Sequence, residues 1–386
     1  MNHDWEKKRL DNVCSIKSGY TPSFDDLSSK GEFPYFKVAE MNLPGNEKYL
    51  INTPSYLSGN IKTFPANSIV FPKNGAAVST NKKRILQVDS VVDLNTAVMI
   101  ANQSVSVNYL YYILISIDFV NLVKRGAVPT LNISELKNTV VSVPPMHVQE
   151  QIVSELDKIN ELIEIKRNQI KDLDALAQSL FYETFGEPFI NSKGWPIMNF
   201  GNLASSINYG TSLPAVDGGY YPYIRMNNLT DNGYLDLSNL KYIDIPESKL
   251  DKCLVRKGDI LFNRTNSREK VGKSALFDRA DKMVIAGYII RVRAKADMLN
   301  PVFAVRYLNL PELKEHLRKI CRGAVNQANI NSKEMASIPF IVPPINLQNQ
   351  FASKIEAIEA QKKLVEASIA DLEIILASRM DYWFND

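Results

Sequence analysis

A chain of 386 residues, 45% hydrophobic and 23% charged, has room for two domains or more and the balance of a globular protein rather than a disordered one. Its net charge of +3 does not by itself announce a nucleic-acid partner. Cys14, Cys253 and Cys321 are odd in number and far apart, so neither a disulfide framework nor a CxxC motif is expected, and the compartment is read as reducing. The opening MNHDWEKKRLDN lacks an apolar run after its charges, and the most apolar stretch, 109–117, is too short for a bilayer. A cytoplasmic protein is expected.

In chain order, β-like runs at 35–38, 68–71 and 96–100 come first, then a helix over 109–123. After the second run lies the loop PKNGAAVSTNKKR, carrying Lys73, Asn74, Ser79, Thr80, Asn81, Lys82, Lys83 and Arg84. Lys124, Arg125 and Gly126 read as basic residues and a glycine closing the helix, and Arg125 is also counted with the first copy's candidates for DNA binding. Pro144 and Pro145 then block helix. From Ile152 a helical seam runs through Leu156, Ile159, Ile163, Lys166, Ile170, Leu173, Ala177 and Leu180, in steps of four and three. Gly186 and Pro188 end it.

The chain then repeats itself. RGAVPTLNI at 125–133 is echoed by RGAVNQANI at 322–330, and VPPMHVQEQI by VPPINLQNQF, 199 residues later. Trp5 and Trp195 correspond, as do Ile16–Gly19 and 207–210. The period is too long for a solenoid and describes two copies of a domain plus a helix. In the second copy, strands are expected at 221–226, 259–263 and 288–293, and a helix over 302–320 ending at Gly323. Each copy is an α/β or α+β domain. The second seam reads Phe351, Ile355, Ile358, Lys362, Val365, Ile369, Leu372 and Leu376. Two matching seams fit an antiparallel coiled coil; packing of each helix on its own globular domain is the plainer alternative. As one helix, 147–185 would extend about 55–60 Å at roughly 1.5 Å per residue.

Charge divides the parts. Segment 146–190 carries −5 and 345–386 carries −3, leaving +11 on the remainder. Basic heads and acidic helices are the pattern of a protein that meets phosphate with its heads. The richest loop follows the strand at 259–263: Asn263, Arg264, Thr265, Asn266, Ser267, Arg268, Lys270 and Lys273, within a segment, 251–295, of twelve Lys/Arg against five Asp/Glu. Arg and Lys suit guanine edges, Asn adenine, Ser and Thr phosphates; a solvated basic loop is the bland reading. Tyr209, Thr211, Arg225 and Arg322 complete the second copy's candidates. The turns at Gly19 and Gly210 are ordinary turn chemistry that also offers amides and hydroxyls to a phosphate.

Catalytic signatures are missing. His3, His147 and His316 stand alone, with no paired zinc ligands, no P-loop and no glycine-rich nucleotide fingerprint. The triplet Glu247-Ser248-Lys249 has the look of a nuclease motif, but it is a frequent accident in a charged chain.

GAVPTLNI…VPPMHVQEQI, GAVNQANI…VPPINLQNQF and GDILFNRTNS…VGKSALF, in this duplicated order, resemble the specificity subunit of type I restriction-modification systems. The resemblance covers the whole chain. It implies two target-recognition domains, 1–145 and 191–344, each reading half of a bipartite double-stranded DNA site. It implies spacer helices at 146–190 and 345–386 that also bind two modification (methyltransferase) subunits, with a restriction motor subunit joining. No cofactor is implied for this chain; S-adenosylmethionine, ATP and Mg2+ would belong to the partners. Glu150 becoming Asn349 makes the two docking surfaces unequal. A self-contained restriction or methyltransferase enzyme and a protein-binding scaffold remain the alternatives.

Overall fold

The computed structural model describes residues 5–124, 126, 128–324 and 327–384. It divides into two units, 1–165 with 368–386, and 166–367, so the dividing line falls inside both long helices. These helices are Met146–Phe185 and Ile345–Phe384, of 40 residues each. The first stops where Gly186 takes φ +77° and its N–H bonds the Tyr182 carbonyl at 2.8 Å, a left-handed cap that glycine adopts without strain.

In the first unit a five-stranded sheet has the order Cys14–Ser18, Thr96–Ala101, Ile69–Pro72, Arg84–Leu86, Tyr49–Leu50. Phe33–Phe36 lies between Tyr56–Leu57 and Val91–Val92 in a second, three-stranded sheet. The helix Val107–Ser116 is capped by the Ser106 hydroxyl. It is shorter than its pattern suggested, because 119–122 tightens into a 3-10 turn and Val123–Lys124 pairs with Thr130–Leu131. Gly126 therefore does not close that helix.

The second unit repeats the plan. Ala204–Tyr209, Ile289–Ala294, Asp259–Asn263 and Ser274–Phe277 form one sheet in that order. Lys241–Ile243, Tyr221–Ile224, Met283–Ile285 and Leu254–Val255 form another. The single helix expected over 302–320 is two, Pro301–Leu308 and Pro311–Ile320. Pro311 supplies no N–H and holds Leu310 extended, so the first helix cannot run through it. Gly323 is likewise not a helix cap; Cys321 ends the helix, and Gly323, at φ +110°, pairs with Ala328 in the hairpin of Arg322–Ala324 and Gln327–Asn329.

Both readings of the seams hold at once. In the first unit Ile152 and Leu156 are buried in the domain core, against which Leu376, Met380 and Trp383 pack. In the second unit Phe351 and Ile355 share a core with Ala177, Phe181 and Phe185. There Asp174 meets Lys362 and Phe181 meets Phe351, so the two helices run antiparallel. Ile163 and Val365 are buried, and Ile159, Ile170, Leu173, Ile358, Ile369 and Leu372 half-buried. The lysine that interrupts the second seam, Lys362, is almost fully buried, 2.5 Å from Asp174 and over the Tyr234 ring. Glu155 accepts from the Arg379 guanidinium and from the Trp383 indole.

Candidate nucleic-acid interface

In each unit a buried strand delivers the head of the basic loop to one rung of the sheet. In the second unit Asp259–Asn263 is buried at every position, so Arg264 is the first residue past the core. Its N–H bonds the Tyr288 carbonyl at 2.9 Å, and its own carbonyl accepts from Ile330 at 2.9 Å. In the first unit Lys73 follows the buried strand Ile69–Pro72, donates to the Asn95 carbonyl at 2.9 Å and accepts from Leu131 at 2.8 Å. Lys73 and Arg264 are thus structural equivalents.

The residue beside each is also equivalent. Ser18 and Tyr209 end the first strand of their sheets. The Lys73 ammonium donates to the Ser18 hydroxyl at 2.7 Å; the Arg264 guanidinium lies 4.9 Å over the Tyr209 ring, an arrangement favoured by the ring quadrupole. Gly19 and Gly210 follow. A Cβ there would come within 2.2 Å of the Asp93 or Ile285 carbonyl oxygen. These glycines permit a close strand crossing, which is more than ordinary turn chemistry.

The other candidates divide by burial. Asn263 and Thr265 are buried; Thr265 bonds the Asn329 side chain and belongs to a strand paired with Asn329. Thr211 bridges to Ala286, and Arg225 caps a turn with its N–H on Asn228. Asn266 and Ser267 are half-buried, with the Asn266 side-chain Oδ1 accepting from the Ser267 N–H. Arg268 and Lys270 are exposed, and Arg268 reaches the Arg318 carbonyl. Lys273 pairs with Asp231 at 2.8 Å and Arg322 with Glu334 at 2.6 Å. Part of the basic surplus in this segment is absorbed internally, since Arg291 is buried and Arg293, Arg256 and Arg279 bond Asp259, Asp251 and Asp281.

In the first unit Lys83 is fully buried, which removes it from the surface it was expected to occupy. Its ammonium bonds Asn81 and the Ile117 carbonyl and lies 4.0 Å from the Phe119 ring centre; burial pushes its pKa down to about 7. Arg84 turns inward to the carbonyls of Lys83 and Met41. Asn81 holds a left-handed turn and accepts from the Phe119 N–H. Ser79 and Thr80 are exposed but bond the carbonyls of Ala76 and Ala77. Lys82 reaches Asn42, and Asn74 bridges to Thr130. Arg125 lies outside the described residues.

Two residues beside the loop heads, Asp93 and Tyr288, were not among the sequence candidates. Asp93 lies behind Lys73, accepting from Thr21, Tyr35 and Asn95; burial pushes its carboxyl up, but these bonds outweigh it and hold it below the usual range. Tyr288, half-exposed, holds Arg264 through its carbonyl. Gln149 and Gln348, buried in the VPP-x3-Q motifs, are structural. Gln149 donates to the carbonyls of Pro144 and Ser104 and accepts from Ser106; Gln348 does the same with Pro343, Met298 and Asn300. Among the described residues no group of three or more His, Cys, Asp or Glu could hold a metal ion, and no helix is long and apolar enough to cross a membrane.

A family model described as the type I restriction modification DNA specificity domain matches residues 2–175 and again 193–373. The type I restriction enzyme EcoKI specificity subunit of Escherichia coli is 21% identical over 246 residues, 59% of this chain and 52% of that protein. The MjaIX specificity subunit of Methanocaldococcus jannaschii is 23% identical over 277 residues, 61% of this chain and 60% of that one. Matches to curated relatives span 30 to 60% of their lengths. The crystal structure of a type I restriction-modification S subunit from M. genitalium superposes with a TM-score of 0.55 at 15% identity, covering 100% of this chain and 97% of that one. That likeness is one of fold.

Proposed function

Because this chain belongs to the family of type I restriction-modification DNA specificity domains, we propose that it is the sequence-reading subunit of such a complex. Each globular copy reads one half of a bipartite DNA site. The long helices set the gap and receive two modification subunits, and a restriction subunit completes the assembly. The observation that carries this reading is that the family model matches twice, once on each copy. The basic loops, each headed by a cation on the same rung, support it. The chain itself is proposed to be non-catalytic and cytoplasmic, with S-adenosylmethionine, ATP and Mg2+ used by the partners.

The test is reconstitution. The purified chain should neither cleave nor methylate DNA. With the modification subunits and methyl donor added, methylation should appear at one bipartite sequence, read by mapping modified bases. Activity of the rigorously purified chain would favour a self-contained enzyme. No methylation and no salt-dependent DNA binding would favour a scaffold.

A further inference from the structure

The two basic loops differ in sequence, yet the backbone of the cation that heads each is held in the same way. Lys73 and Arg264 make the same pair of backbone hydrogen bonds at equivalent positions, donating to the carbonyl just before Thr96–Ala101 or Ile289–Ala294 and accepting from Leu131 or Ile330, and they lie against the residue that precedes the crowded glycines. Both are half-buried, and among the described residues neither makes an ion pair. Among the described residues the Arg264 Nε is buried without a hydrogen-bond partner, and the one hydrogen bond its guanidinium makes is from an Nη1 group 3.4 Å from the Gly287 carbonyl. Several neighbouring cations are spoken for: Lys273 and Arg322 by carboxylates, Arg268 by a carbonyl.

One position occupied by Lys in one copy and Arg in the other offers only what the two share, a fixed positive charge. Reading a guanine edge in the plane favours the guanidinium fork, which the point charge of an ammonium does not reproduce. A phosphate accepts either. Resting on the DNA-recognition reading above, we propose that Lys73 and Arg264 are matched phosphate anchors, one per half-site. They fix the register of each domain on the duplex while the dissimilar residues after them read sequence.

The experiment uses the full chain with its modification subunits. The probe is duplex DNA carrying the mapped site, titrated across salt concentrations, followed by selection from a pool randomised at the half-sites. Lys73→Ala and Arg264→Ala should each weaken binding to all sequences and reduce the steepness of log affinity against log salt by about 0.9. The selected sequence should not change. Lys73→Arg and Arg264→Lys should bind close to wild type. Should an alanine variant melt early, Lys73→Gln and Arg264→Gln remove the charge while keeping length and polarity. The proposal fails if the neutral variants keep the wild-type salt slope, if either changes the preferred bases, or if Arg264→Lys is as weak as Arg264→Ala. A wild-type complex that selects no sequence defeats the recognition reading before any variant is made, and the anchors with it.

Discussion

Lys82, Lys83 and Arg84 stand side by side in the sequence, yet their fates differ. Lys82 reaches Asn42, Lys83 is sealed against Phe119, and Arg84 caps internal carbonyls. Burial depresses the Lys83 pKa to about 7, while in the unfolded chain it stays near 10.4. Between these values the unfolded state binds more protons, so the stability contribution rises with pH. The penalty of burying the charged form is full below pH 7 and is relieved as pH climbs toward 10. Chemical denaturation from pH 7 to 9 should therefore show a positive slope from this residue, up to about 1.4 kcal/mol per pH unit. Lys83→Met should flatten the curve by that share; an unchanged slope would place the ammonium in water. The residue types of the basic loop were legible in the sequence, but their direction was not. A run of three cations carries no sign of which side chain the start of Arg84–Leu86 turns inward.

Strands and long helices were legible because their periodicities are local. The buried strand Asp259–Asn263 matches its expected bounds, and both 40-residue helices begin directly after their proline pairs. The split at Pro311 is local and was carried by the proline itself; what escaped was set by tertiary partners, such as the hairpin that takes Gly323. The motif glutamines are the clearest case. As part of the repeat, Gln149 and Gln348 carried the resemblance, but their work is mechanical. Each stitches the start of a long helix to the entrance of a shorter one through three bonds. Gln149→Leu would leave the Ser106 N–H and two carbonyls without their partner at a buried position, costing about 2–4 kcal/mol. Gln348→Leu should cost a similar amount, and since each acts inside its own unit the double variant should lose the sum. Urea titration of the three variants measures this. A loss under 0.5 kcal/mol would mean the clamp is dispensable.

At the scale of the molecule the duplication was legible because identity recurs at a fixed offset, and both copies carry the matched sheets and clamps. The position of the division, inside both long helices, was not. The seams lack any mark there, since each helix is packed by a different globular core at either end. The proposed role makes the helices a spacer, and this is testable without knowing the target bases. Removing one heptad from each helix keeps the seams in phase. It shortens the helices by about 10 Å, or roughly three base pairs at ~3.4 Å each. Both half-sites should keep their sequences while the gap between them shrinks. Three base pairs also rotate the duplex by about a quarter turn or more, because a turn takes about 10 base pairs. Lost binding to the original site would therefore not discriminate between a shorter spacer and a broken one. Selection from DNA whose gap length is randomised does discriminate: the shortened protein, with its modification subunits, should recover the same half-sites at a smaller separation. If it recovers the original gap, the helices do not set the spacing, and that part of the proposed role is wrong.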